Sequence, residues 1–309
     1  MPEDWLAVIL RFALYLDLMV LFGVPLFSLY ALGPSGKSPA IPRLYGTVAA
    51  ASALAGIVLS IWDVVAMAES MTGASRYSQL SSRVFDMILT GTAVGAAWLV
   101  RVAVLAAGLV TAIAWRRNTR RRQSGLAASG GIALATLAWA GHGAMDDALR
   151  GALHLAADIT HLLAAGMWVG ALVAFMLLSS ARHADTPDTV QTLSRAASGF
   201  ATIGTRIVGV LIATGVVNYV LVAGLTLDAL FTMPYGWLLL GKLTLFVLML
   251  ALAAGNRYRL SPRLATAIRA GDSAGAARAL HNSLRAEAGL AMLILALVAW
   301  LGMLSPLPS

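Results

Sequence analysis

The chain has 309 residues, 59% of them hydrophobic and 12% charged, with a mean hydropathy of +0.81; it is too apolar for a soluble globule and has the composition of a multi-span membrane protein. Cysteine is absent, which excludes disulfides, thiolate metal ligation and thiol redox catalysis. The net charge of +8 comes from arginines between apolar segments, where they set topology and give no nucleic-acid signal.

The opening run PEDWLAVIL is acidic, and its apolar stretch outlasts a signal-peptide core without a clean small-residue cleavage site, so it is expected to stay as a helix. Eight hydrophobic segments follow one another in a single membrane domain covering 1–309. They run roughly over 5–32, 44–70, 85–115, 126–142, 151–178, 199–224, 235–254 and 284–304. The fourth is the weakest, being short unless it extends through His142. The expected fold is therefore all-α and polytopic, with eight transmembrane helices.

Orientation follows from the cations. The stretch WRRNTRRR supplies Arg116, Arg117, Arg120, Arg121 and Arg122 after the third segment, and the positive-inside rule assigns it to the cytoplasm. Alternate loops carry Lys37 and Arg43, then Arg182 and Arg195, then six arginines from Arg257 to Arg285, whereas the opposite loops carry only Arg76, Arg83 and Arg150. Both termini are thereby predicted to be periplasmic. The polar stretch from Ser261 to Arg285 reads as a solvated linker or a short surface helix.

Polar chemistry concentrates between Trp139 and Gly170, which hold three of the five histidines. His142 and Met145 lie at the outer end of the fourth segment, with Asp146 and Asp147 in the turn after them. His154, Asp158 and His161 are spaced i, i+4, i+7, which puts them on one helix face, with His161 about 10 Å deeper than His154. Such groups are costly in lipid unless they line a path or a site. Imidazole suits copper, zinc, iron and nickel, thioether suits copper(I), and a carboxylate between two histidines is placed to orient their rings.

Other polar residues carry weaker signals. Asp63, Met67 and Met71 repeat along the second segment toward the same outer surface, as a tentative extension of the path or as flexible core filling. Lys242 and Glu287 are intramembrane or interfacial charges suited to an ion pair holding helices together or to a gate. Arg101, His183 and His281 are expected near inner helix ends or in loops, where snorkelling or solvation suffices. No Walker, Rossmann or GxSxG pattern is present, so no enzymatic activity is expected.

The run HLLAAGMWVGAL from His161, preceded by GHGAM and the His154/Asp158 pair, resembles the signature of the CopD copper resistance protein family. The run YGWLLLGKLTLFVLMLALAAGNRYRLSPRL, followed by LRAEAGLAMLILALVAWLG, is similar to that family's carboxy-terminal pattern. The resemblance extends from about Trp139 to the carboxy terminus. It implies a bacterial inner-membrane protein handling copper, moving it from periplasm to cytoplasm alongside a separate periplasmic CopC-like copper-binding protein. It also implies His142, His154, Asp158 and His161 as metal residues, with Trp168 and Gly170 as packing members of the motif. Met145 rests on its thioether alone.

The function expected from the sequence is copper transport without ATP hydrolysis, through a His/Met-lined path. Two alternatives stand beside it. Histidines from neighbouring helices could clamp a b-type haem in an electron carrier, which a Soret band would reveal. A non-transporting copper-binding membrane protein would bind the metal without flux.

Overall fold

The computed structural model describes residues 5–32, 40–73, 80–140, 148–179, 187–224, 231 and 234–304. The described residues are helical, with no strand among them. The helices are α1 (Trp5–Ala31), α2 (Ala40–Thr72), α3 (Ser82–Gly91), α4 (Ala93–Ala114), α5 (Thr119–Ala135), α6 (Ala148–Leu178), α7 (Pro187–Ala223), α8 (Pro234–Gly255), α9 (Ser261–Ala270) and α10 (Ala274–Leu301). A 3₁₀ turn, Thr136–Ala140, extends α5, and a π turn, Asn256–Leu260, joins α8 to α9.

Seven of these helices are long and apolar enough to cross a membrane: α1, α2, α4, α6, α7, α8 with its continuation through α9, and α10. The chain is thus a multi-pass membrane protein. The expected fourth span, α5, is not among them, because its 17 residues begin with TRRRQSG and are poor in large apolar side chains. It is nonetheless an interior helix, with Leu126, Ala133 and Leu134 fully buried against α1 and α4.

The third expected span is divided. Thr92 takes an extended conformation between α3 and α4 and caps α4 by accepting the Gly95 N–H at 3.0 Å, while its own hydroxyl donates to the Ile88 carbonyl at 2.8 Å. A Cβ at Gly95 would run into that same carbonyl, so the TGTAVG sequence permits the tight step. The polar stretch from Ser261 to Arg285 also departs from a solvated linker. It forms α9, a break at left-handed Gly271 (φ 78°), and the first turns of α10. Leu264, Leu280 and Leu284 lie in the core, so this segment is packed rather than loose.

Helix α1 is the axis of the bundle, packed against α2, α5 and α6, while α7 lies on α6 and α8 on α10. Close approach depends on glycine. A Cβ at Gly23 in α1 would enter the backbone of Gly166 and Gly170 in α6, and a Cβ at Gly170 would enter that of Gly23. The buried Tyr45 hydroxyl donates to the Ala174 carbonyl at 2.8 Å, tying α2 to α6, and Phe27, Phe175, Phe200 and Trp168 form an edge-to-face cluster beside this crossing. Gly170→Ala is expected to lower stability by about 1–3 kcal/mol through backbone overpacking. Gly199→Ala in α7, with nothing within 4 Å of the new methyl, should be neutral or slightly stabilising. Melting in detergent checks the contrast, and equal shifts for the two variants would refute the crossing.

Candidate functional site

His154, Asp158 and His161 lie on one face of α6 and line a single cavity of about 220 Å³. The wall is completed by Tyr15 of α1, Leu137 and Ala138 after α5, Asn218 and Tyr219 of α7, Tyr235 and Lys242 of α8, and Val298 and Leu301 of α10. An apolar helix can carry this polar stripe because the cavity lies where six elements meet. The heptad spacing that puts the three residues on one face continues inward through Trp168, Leu172 and Phe175.

Each polar group is held differently. The Asp158 carboxylate accepts a hydrogen bond from Asn218 Nδ2 at 2.7 Å, and its other oxygen lies 3.9 Å from Nε2 of the buried His154, within ion-pair range but too far for a hydrogen bond. His161 Nδ1 is 2.9 Å from Thr214 Oγ1, and that hydroxyl lies 2.6 Å from the Val210 carbonyl. Since Thr214 has one hydroxyl proton and spends it on Val210, it accepts from His161 Nδ1–H. This tautomer leaves the lone pair on Nε2, the usual arrangement of a metal-binding imidazole held by a partner on its other nitrogen.

The vertical spacing has a consequence for ligation. His154 and His161 are two turns, about 10 Å, apart along the axis, so one ion does not bridge them. Among the described residues no three His, Asp or Glu side chains come together as a metal-holding group. The arrangement is a series of separate polar stations. All histidines that line the cavity come from α6, so among the described residues no pair faces across a haem from two helices.

His142, Met145, Asp146 and Asp147 lie outside the described residues, as does His183. Asp63 and Met67 line a smaller cavity of about 60 Å³, which shares Tyr15 and Leu137 with the first and so lies directly behind them. Met71 is exposed at the end of α2. Arg101, expected to snorkel, instead sits mid-way along α4 at 2% exposure, 3.3 Å from the Asp63 carboxylate and with its Nε donating to Thr136 Oγ1 at 2.9 Å. Lys242 shares the α6 cavity. Glu287 is in another cavity and accepts from Asn256 Nδ2 at 2.8 Å. His281 is also not simply solvated, since its Nδ1 lies 2.8 Å from Ser179 Oγ.

Sequence reasoning missed Asn218, Thr214 and Tyr235. The available signal for the first was an amide in the apolar run GVVNYVLVAG, which in a membrane helix requires a partner.

A multi-pass helical membrane protein with a histidine and carboxylate stripe facing an internal cavity is the class that fold and site define. Residues 1–152 match the family described as "Copper resistance protein D-like, N-terminal domain", and residues 194–301 match "Copper resistance protein D". Copper resistance protein D of Pseudomonas syringae pv. tomato is 44% identical over 304 residues, covering 98% of each chain. Inner membrane protein YebZ of Escherichia coli (strain K12) is 26% identical over 267 residues, covering 84% of this chain and 85% of that one. No solved structure matches. The chain belongs to the copper resistance protein D family.

Proposed function

We propose that the protein is a non-enzymatic copper transporter of the bacterial inner membrane, moving the ion from periplasm to cytoplasm. The observation that supports this reading is the cavity that gathers His154, Asp158 and His161 from one face of α6, with Asn218 on Asp158, Thr214 on His161 and no closed chelate among the described residues. A conducting path needs stations that bind well enough to receive the ion and weakly enough to release it. Single imidazoles separated by about two turns meet that need, whereas a four-ligand cage retains its metal. In this reading His142 and Met145 take up copper at the outer surface, and Asp63, Met67 and Met71 belong to the flank of the same path. Copper is delivered by a separate CopC-like periplasmic protein.

The reading needs eight crossings, with α5 and its 3₁₀ extension as the fourth. The 17 residues of the helix and 5 of the turn, at about 1.5 and 2.0 Å per residue, span roughly 35 Å, enough for a hydrocarbon core of about 30 Å. The arginines of α5 then lie at its cytoplasmic end, where Arg122 donates to the Gly46 carbonyl at 3.0 Å. A cysteine replacing Thr119 is expected to react with impermeant reagent only from the cytoplasmic side, and one replacing Met145 only from outside. The reverse pattern would invert the topology and misplace the uptake site.

Copper accumulation in vesicles reconstituted with purified protein tests the function itself. Accumulation no faster than in protein-free vesicles, with copper still bound to the protein, would replace transport by storage or sensing.

A further inference from the structure

Seven residues below His161 on the same stripe of α6, Trp168 opens a second cavity of about 290 Å³. It shares no lining residue with the histidine cavity. Its walls come from α6, α7, α8, the π turn, the first residue of α9 and α10. Four polar side chains face it from the core: Glu287 at 3% exposure, Asn256 and Ser261 at 8% and Trp168 at 4%. Asn256 Nδ2 donates to Glu287 at 2.8 Å, while Asn256 Oδ1 is buried without a partner. Trp168 turns its indole N–H toward the same carboxylate without closing a hydrogen bond.

The π turn explains why Asn256 is there. Widening the helix by one residue swings Asn256 inward while Arg257 and Tyr258 remain at the cavity rim, Tyr258 at 70% exposure. The other ionisable groups of the lining are these two. Arg257 is already engaged by the Ala201 carbonyl and the Thr205 hydroxyl and stacks over Tyr258. On α10 the nearby His281 is held by Ser179. Among the described residues no cation lies within ion-pair range of Glu287.

The donor set decides what such a site takes. The lining holds neither histidine nor methionine, so soft copper is not matched there. One carboxylate, one amide oxygen and the hydroxyls of Ser261 and Thr205, the latter already held by Arg257, fall short of the six or more oxygens that hard metal cations gather, and Arg257 at the rim disfavours them further. A proton needs one oxygen only. The amide of Asn256 serves both forms of the acid: Nδ2 donates to the carboxylate, and after a flip the unpartnered Oδ1 accepts from the carboxylic O–H.

We propose that Glu287 is a proton-exchange site, reached through this cavity from the side of the arginine-rich π turn and closed off from the histidine cavity. Proton binding forms the O–H bond on one carboxylate oxygen and release returns the carboxylate, with no other bond changed. Infrared spectroscopy of the purified full chain tests this without copper. A protonated carboxyl stretch should grow as pH is lowered, shift within minutes on transfer to D₂O, and be missing from E287Q. E287D should restore a carboxyl band at a displaced frequency, which separates loss of the acid from loss of the fold. Asn256→Leu, which removes both amide partners, should move the titration midpoint. A carboxyl band unchanged in E287Q, or one that fails to exchange in D₂O, overturns the proposal. So does a band displaced at constant pH by sodium but not by choline, which would assign the site to an alkali cation.

Discussion

His161→Ala is expected to lower copper flux per folded molecule by at least about 10- to 100-fold, the range typical of losing even a side chain that only orients a metal ligand, while copper binding at the outer surface persists. The expectation follows from depth. In the proposed orientation His161 is the histidine of the α6 cavity nearer the cytoplasm, and its Nδ1 contact to Thr214 leaves Nε2 for the metal. Asp158→Asn should also fall in this range, since it keeps the shape but removes the charge that Asn218 holds and that lies beside His154. Flux into vesicles, normalised to monodisperse protein, is the measurement. A purely structural histidine predicts reduced abundance with unchanged flux per folded molecule. Near-normal flux in both variants would dismiss the path along α6, even if the protein still bound copper outside.

Asp63→Ala is the second large effect, and it should appear in stability. The Arg101 guanidinium is at 2% exposure, and Asp63 is its carboxylate partner at 3.3 Å. Removing one member of such a pair leaves a buried charge uncompensated, at a cost of about 3–5 kcal/mol. The lower end applies here, because the Asp63 side chain is itself 36% exposed and Thr136 still accepts from Arg101 Nε. Asp63→Ala combined with Arg101→Met should recover most of the loss, since both charges are then gone. Thermal melting in detergent reads both variants. If Asp63→Ala melts like the wild type but loses copper affinity, Asp63 ligates the ion directly instead of holding the flank of the path through Arg101, and its bond to Arg101 is incidental.

The two halves of the chain were unequally legible. From Trp139 onward the sequence carried its own signals: an i, i+4, i+7 stripe, a GHGAM run and a family resemblance, all of which are local. The amino-terminal half also matches the family over residues 1–152, but it offered no comparable local pattern. Its main polar feature joins Asp63, Arg101 and Thr136 from three separate segments. Arg101 read alone suggests a snorkelling side chain, because nothing nearby in the sequence announces a carboxylate 38 positions earlier.

Composition and periodicity by themselves determined that this is a multi-span helical membrane protein without thiol chemistry, and that His154, Asp158 and His161 share a face. Those properties depend on counts and on the helical repeat, which neighbouring residues settle. Only the tertiary structure decided that Asn218 and Thr214 are the partners of Asp158 and His161, that Lys242 and Glu287 lie in different cavities, and that Arg101 is buried. The reason is that a polar group in a membrane core must be satisfied by whichever helix packs beside it. That choice is made by close crossings such as Gly23 against Gly170, which bring together residues that no sequence spacing relates.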